Sequence, residues 1–410
     1  MGINNMKRVL IVTQYIYPET FKSSEMAFEF AKRGYHVDVL TGIPNYPEGH
    51  YYKGYGLFSK RTEIKDGVKF YRCFQTPRLL LPGFIGMSLN YVTFAICATL
   101  WVLFFFVWKK KYDAIITHEP SPITQLIPAI ILGKMRKVKV YSWIMDIWPD
   151  SVVSSIGDNG KTQIIKNILN RVTNWTYRNS DKLLITSKGM ADLINRDADY
   201  SDKIVYFPNW SDDLKVMPIE KIPQLPDGYK IMMAGNIADG LGLDSLYKFL
   251  EEFKNCEDVK FVFIGGGNLQ QQFADRCKRN GLDNVIFLGK HPFSKMPAFY
   301  KAADAMLLTL KPTTLKHLDA TVPARLQGYM AGGKPVLAMI GSGATSLINE
   351  ADCGYAVPAG DYKALAAYIK ETVLTQKEAF ANKGANGRNY YENNFRMDKC
   401  IDNLIEIISE

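Results

Sequence analysis

Short apolar runs alternate along this chain with longer segments of helical period. In the first half Arg8–Thr13 reads as a buried strand, a helix follows from about Ser24 to Arg33, Gly34-Tyr35 breaks it, and His36–Leu40 supplies the next strand. Further strands are expected at Ala114–Thr117, Lys139–Trp143, Leu183–Thr186 and Ile204–Phe207. The pattern restarts at Lys230–Ala234 and continues through Lys260–Ile264, Val285–Leu288, Ala305–Leu308 and Pro335–Met339. Strands separated by helix-length segments predict an α/β fold, a parallel sheet with helices on both faces. Between the two series, Asp213–Gly228 carries Pro218, Pro223 and Pro226 without clear periodicity and reads as an interdomain linker. A chain of 410 residues suits two domains of about 200 residues each.

One segment departs from this rhythm. Phe84–Trp108 runs for 25 residues without a charge and ends at Lys109-Lys110-Lys111. By length it suits a bilayer crossing, yet Tyr112–Ile116 reads as the next buried strand, so a crossing would separate elements of one domain. Three readings stay open: a helix partly in the core and partly in the lipid interface, a fully buried helix, and a true span. The net charge of +9 is uneven: residues 1–200 carry 26 Lys+Arg against 16 Asp+Glu, and residues 201–410 carry 24 against 25. A basic first half implies an anionic partner there. There is no basic and aromatic recognition module, so nucleic acid is not the expected partner. The six cysteines are scattered without metal-ligand spacing, which fits a reducing compartment, and no signal peptide opens the chain.

Where two α/β domains face each other, ligands sit at the carboxyl ends of the strands, so the loops after the strands hold the candidates. After the first strand come Tyr17, Pro18 and Glu19; Ser23 and Ser24 at the helix start suit either a phosphate or a helix cap. Asn45 and Tyr46 lie in a proline-rich loop suited to an acceptor. His118 ends a strand, where an imidazole donates to a sugar hydroxyl or to developing charge. Asp146 and Asp150 are candidates for orienting an acceptor hydroxyl, one of them serving as a helix cap instead. In the second half Gly235, Asn236, Gly240 and Gly267 lie in glycine-rich turns that let backbone amides approach a diphosphate. His291 is placed to meet a nucleobase. Lys311, Asp319, Arg325 and Gln327 fall in the richest polar stretch, Arg325 early in a helix where a guanidinium forks onto phosphate.

Taken together, Val9–Glu19, Arg33–Val37, Pro44–Pro47, His118-Glu119-Pro120, Asp146–Ser151, Phe207–Trp210, Gly235-Asn236, Thr321–Arg325 and Ala331–Pro335 resemble the retaining glycosyltransferases of family 4 over essentially the whole chain. Within that family the chain is similar to the branch building O-antigen, capsule and exopolysaccharide, the N-acetylfucosamine transferase-like proteins included. The resemblance implies a GT-B fold: two facing Rossmann-like domains, with a C-terminal helix returning to the first. The implied boundaries are 1–212 for an acceptor domain with a membrane-associating segment at 84–111, 213–228 for the linker, 229–388 for a nucleotide-sugar domain, and 389–410 for the returning helix. It implies no metal. With no cofactor, the expected reaction is transfer of an N-acetylated hexosamine or deoxyhexosamine from a UDP-sugar to an undecaprenyl-diphosphate-linked saccharide. The basic first half and Phe84–Trp108 motivate the lipid acceptor. The implied place is the cytoplasmic face of the inner membrane, as a peripheral or monotopic protein. Two departures stand out. The family's glutamate pair would fall at Ala320 and Gly328, and its Arg and Lys after the first donor-domain strand would fall at Asn236 and about Leu241. A GDP-sugar transferase, a GT-B epimerase or phosphorylase, and a non-catalytic membrane-attached scaffold are the alternatives these departures leave.

Overall fold

The computed structural model describes residues 7–156 and 160–410. It divides into two compact units, one holding the chain to Thr186 with Met190–Phe207 and Ile401–Glu410, the other Ser187–Gly189 with Pro208–Cys400. The first unit contains strands β1 (Arg8–Val12), β2 (His36–Gly42), β3 (Thr62–Lys65), β4 (Val68–Cys73), β5 (Ala114–Glu119), β6 (Val140–Ile144), β7 (Lys182–Ile185) and β8 (Ile204–Tyr206). They form one sheet in the order β3-β4-β2-β1-β5-β6-β7-β8. All neighbours are parallel except β3 and β4. The central strands are buried almost throughout, as strands covered on both faces must be.

The antiparallel pair β3–β4 is absent from the sequence pattern above, although its turn carries a local signature. Asp66 and Gly67 have φ of 48° and 80°, the backbone that a two-residue hairpin turn requires and that Asp-Gly supplies. The first helix spans Lys22–Lys32 and has no side-chain cap, which corrects the reading of Ser23 or Ser24 as its cap. Their hydroxyls instead tie the helix to the loop after β1: Ser24 Oγ accepts from Tyr17 N at 2.9 Å, and Ser23 Oγ donates to Tyr15 O at 3.5 Å.

The uncharged segment forms a helix, Gly83–Phe104. Gly86, Asn90, Phe94, Ala95, Ala98 and Val102 are buried, a stripe of helical spacing, and the apolar members Phe94, Ala98 and Val102 join the core around Leu10, Leu40 and Ile115. The other side is bare: Ile85, Val92, Ile96, Leu100, Leu103 and Phe104 are exposed. The fully buried alternative is thereby corrected, because the sheet has one flank to offer this helix and the helix is apolar all round. Gly83–Trp108 meets the length and composition of a membrane span, with a minority of it buried.

The second unit contains β9 (Tyr229–Ala234), β10 (Val259–Ile264), β11 (Val285–Gly289), β12 (Ala305–Thr309), β13 (Val336–Ile340) and β14 (Gly354–Pro358), paired in the order β11-β10-β9-β12-β13-β14 and all parallel. Alternate residues feed two cores: Ile231, Met233, Phe261 and Phe263 on one face, Met232, Ala234, Val262 and Ile264 on the other. The final strand, β14, is a further element beyond the sequence pattern.

The expected linker at 213–228 packs on the second unit. Leu214 is buried in its core, Met217, Ile222 and Leu225 cover that core, and Asp213 accepts a forked pair from Arg388 at 2.6 and 2.9 Å. The expected boundary at 389 falls inside the helix Lys377–Asn394, and the chain passes to the first unit only at Ile401. There Asp402 pairs with Arg33.

Candidate active site

Among the parallel strands of each sheet the order reverses once, between β1 and β5 and between β9 and β12. Loops leave such a point toward opposite faces and open a crevice at the carboxyl ends of the strands.

In the first unit, β1 and β5 pair in register from Val9↔Ala114 to Val12↔Thr117. This brings Thr13 beside His118, and Thr13 Oγ1 donates to His118 O at 3.0 Å. The imidazole is buried between Trp143, 4.9 Å away, and Phe21, 6.3 Å away, and neither ring nitrogen has a hydrogen-bond partner. Burial lowers its pKa to about 3, so His118 is a neutral donor and acceptor and not a general acid. Glu119 beside it is fully buried, its carboxyl approached by the backbone N–H groups of Met145 and Asp146; burial first and nearby Asp146 second raise its pKa. Asp146 is also raised by burial and is hydrogen-bonded by Ser121, whose Oγ accepts from Trp148 Nε1 at 3.0 Å. Asp150, in contrast, heads the helix Asp150–Ile156 and pairs with Arg196 at 2.7 Å. Of the two aspartates, Asp146 has the environment of a binding group.

Glu19 joins two loops. Its Oε1 accepts from Asn45 N and Tyr46 N, both at 2.7 Å, and its Oε2 from Ile16 N at 3.2 Å. Burial nevertheless pushes its pKa up to about 7 against the pull of these donors. Asn45 is buried, with Nδ2 on Ile43 O and Oδ1 unpartnered. Tyr46 lies over Phe21 and Tyr15 with ring centroids 5.4 and 5.7 Å apart. Pro18 is half-buried. Tyr17 turns the other way, its ring packed on Phe28 and Phe70, which is a core contact.

In the second unit the turns after β9 and β10 are knitted backbone to backbone. Gly235 N donates to Ile264 O at 2.8 Å, Ile237 N to Gly266 O at 2.7 Å and Gly265 N to Gly289 O at 2.8 Å. A Cβ on Gly265 would stand 1.9 Å from Gly235 O, and one on Gly267 would stand 2.0 Å from Ile237 O. Only glycine allows this approach, and both residues have positive φ. Arg325, on the helix Ala324–Ala331, lays its Cδ where a Cβ on Gly235 would be 2.9 Å away. It hydrogen-bonds Tyr329, whose hydroxyl accepts from Ala234 N at 3.2 Å, and its Nη1 is buried without a partner. Among the described residues no carboxylate lies within 4.0 Å of it.

The remaining donor candidates scatter around this centre. Asn236 and Gly240 are exposed, Gly240 with open space at its Cβ position. Lys311 pairs with Asp239 at 2.7 Å, both side chains largely exposed, and its N–H donates to Gly240 O. His291 packs on Phe299 at 5.0 Å. Gln327 is buried with Oε1 unpartnered. Asp319 Oδ1 accepts from Ser342 N at 3.2 Å and its Oδ2 from the Ser342 hydroxyl, so it satisfies the start of the helix Ser342–Glu350. The position of the missing first glutamate is closed: Ala320 O accepts from Ser187 Oγ at 2.6 Å and would stand 2.1 Å from a Cβ on Gly343.

Further polar residues join these sites beyond the candidates singled out in the sequence. Gln14 donates to Gln75 at 2.7 Å and to Asn90 Oδ1 at 2.8 Å; Tyr15 donates to the same oxygen at 2.6 Å. Asn90 had a signal, as a lone amide in the uncharged helix. Lys290 had a weaker one: its stem covers Gly266, where a Cβ would meet Lys290 Cε at 2.4 Å.

Residues 23–210 match the Glycosyl transferase 4-like domain, and residues 219–390 match the Glycosyl transferases group 1 family. Probable glycosyltransferase WbjE of Pseudomonas aeruginosa is 26% identical over 263 residues, covering 60% of this chain and 64% of that protein. Putative colanic acid biosynthesis glycosyl transferase WcaI of Escherichia coli is 23% identical over 328 residues, covering 77% of this chain and 78% of that protein. In fold, the chain is similar to Anabaena Alr3699/HepE in complex with UDP, with 15% identity, a TM-score of 0.65, and 98% and 100% of the two chains covered. It is also similar to an alpha,alpha-trehalose-phosphate synthase (UDP-forming) from Burkholderia vietnamiensis, with 10% identity, a TM-score of 0.70 and full coverage of both chains. With two Rossmann-like parallel sheets and a matched domain in each half, the chain is a glycosyltransferase of the GT-B fold, a Glycosyl transferase 4-like domain followed by a group 1 domain.

Proposed function

We propose that the chain transfers a sugar from a UDP-sugar to an undecaprenyl-diphosphate-linked saccharide during bacterial surface polysaccharide synthesis, with retention and without a metal. The sugar is an N-acetylated hexosamine or its deoxy relative, as in the N-acetylfucosamine transferase-like branch. The observation that carries this reading is Arg325, held against Gly235 with a buried donor unpartnered, beside turns built for close backbone approach. Arg325, Lys290 and Lys311 meet the charge of the departing diphosphate together with backbone N–H groups, the electrostatic task a metal performs elsewhere. Neutral His118 donates to a sugar hydroxyl, and Asp146 places the acceptor hydroxyl. The UDP in the HepE complex supports the choice of nucleotide, and the polysaccharide relatives support the pathway class.

The exposed apolar side of Gly83–Phe104, with Leu79–Leu81 before it and Lys110-Lys111 after it, supports attachment at the cytoplasmic face of the inner membrane. A thermal-shift panel of UDP, GDP, dTDP and ADP with their common sugars tests the donor. UDP alone should raise the midpoint, and Arg325→Ala should weaken UDP binding roughly 10- to 100-fold, as loss of a charge-assisted bond does. Turnover should survive EDTA. A midpoint unmoved by any nucleotide, in protein that is otherwise folded, overturns the transferase reading in favour of the scaffold.

A further inference from the structure

We infer that Arg78 is the anion-binding residue of the acceptor site and takes the diphosphate of a lipid-linked acceptor; this rests on the lipid-acceptor reading above. Arg78 lies in the turn between β4 and the helix Gly83–Phe104. Its guanidinium carbon stands 5.2 Å from the centre of the Tyr46 ring, 5.8 Å from Tyr15 and 6.0 Å from Tyr91. Aromatic faces hold a guanidinium in place and leave its N–H donors for other partners.

Those donors are nearly all open. Among the described residues the one polar contact of the side chain is Nη1 to Tyr15 OH at 3.5 Å, the outer limit of a hydrogen bond. Among the described residues no carboxylate lies within 4.0 Å of it. Other arginines of the first unit are engaged: Arg72 pairs with Glu63 at 2.9 Å, and Arg61 and Arg136 donate to backbone carbonyls. Arg78 is also fixed at its backbone. Leu79 N donates to Gly49 O at 3.0 Å, and a Cβ on Gly86 would stand 2.5 Å from Arg78 O.

What flanks Arg78 gives the ligand its chemistry. On the chain side are exposed Leu79, Leu80, Leu81 and Ile85. On the other side Tyr91 packs edge-on to Trp148 at 6.5 Å, and Trp148 shares Ser121 with Asp146. An apolar strip, a cation and a carboxyl thus follow one another in the order that a prenyl chain, a diphosphate and a sugar hydroxyl follow one another in a lipid-linked saccharide. The fork of a guanidinium matches two phosphate oxygens.

Calorimetry on the detergent-solubilised full chain, with farnesyl diphosphate, farnesol and inorganic pyrophosphate as probes, tests the assignment. The wild-type protein should bind farnesyl diphosphate at least about tenfold more tightly than farnesol or pyrophosphate. Arg78→Gln should abolish the preference over farnesol, and Arg78→Lys should keep part of it. The midpoint shift given by UDP should stay as in the wild type, since its proposed site lies in the other unit, and so shows that both variants fold. Arg78→Gln with an undiminished preference would overturn the assignment and leave the lipid acceptor standing. A wild-type protein that binds neither prenyl compound removes the lipid-acceptor reading and this inference with it. Pyrophosphate bound as tightly as farnesyl diphosphate makes this a free-anion site and overturns the lipid assignment.

Discussion

Glu19 and His118 are both shifted by burial, in ways that oppose each other in pH. Glu19 in the folded chain keeps its proton up to about pH 7, while in the unfolded chain it loses it in the usual carboxylate range. Its contribution is therefore present at low pH and falls away as pH rises from about 4.5 to 7, by about 3 kcal/mol at most. His118 behaves in the reverse sense. Its folded pKa of about 3 lies below the unfolded value, so its contribution is present above about pH 6.5 and is lost as pH falls toward 3. Denaturation midpoints of Glu19→Gln and His118→Gln against the wild type from pH 4 to 8 should show slopes altered in opposite directions; a common slope contradicts the burial argument. The His118 ring protons in NMR spectra should not titrate between pH 5 and 8.

At the scale of elements, the helix Gly83–Phe104 combines two demands. Its buried stripe carries Asn90, whose amide donates to Thr76 O and accepts from Gln14 and Tyr15, so the helix positions the loop after β1 as well as filling the core. Asn90→Leu leaves the buried Tyr15 hydroxyl without its acceptor, while Gln14 keeps Gln75 and the Asn90 carbonyl, and should cost about 1–3 kcal/mol for the orphaned group. Chemical denaturation measures this, and an unchanged midpoint contradicts the network. The lysine run after the helix is not uniform. Lys109 turns inward over Tyr71, 3.8 Å from its ring centre, and toward Asp38 at 3.6 Å, which leaves Lys110 and Lys111 exposed. The hairpin β3–β4 shows the limit of periodicity, since its edge strand β3, Thr62-Glu63-Ile64-Lys65, is largely exposed and offers no apolar run.

Across the whole chain, the excess of positive charge lies in residues 1–200, the half that also bears the exposed apolar strip. The protein should therefore sediment with vesicles containing anionic lipid, with binding weakened as added salt screens the charge. Ile85→Ser with Leu100→Ser and Phe104→Ser should release it from vesicles at any salt; retention of that triple variant would contradict the apolar face as the contact. The alternation of buried strands and helices, the two-unit plan and the glycine-rich turns after β9 and β10 are all legible in the sequence, because each follows from local period or from backbone freedom at single residues. What only the tertiary structure decided is which polar residues remain available. Asp150, Asp319 and Glu19 read from sequence as equals of Asp146, and the fold commits Asp150 to Arg196, Asp319 to a helix start and Glu19 to two loops. Arg78 carries no local signal in the sequence, and the fold places it among three tyrosines, with no carboxylate within 4.0 Å among the described residues. The physical reason is the same in each case. Hydrogen bonds and ion pairs join residues far apart in sequence, and their satisfaction depends on which chain segments the sheet order brings together.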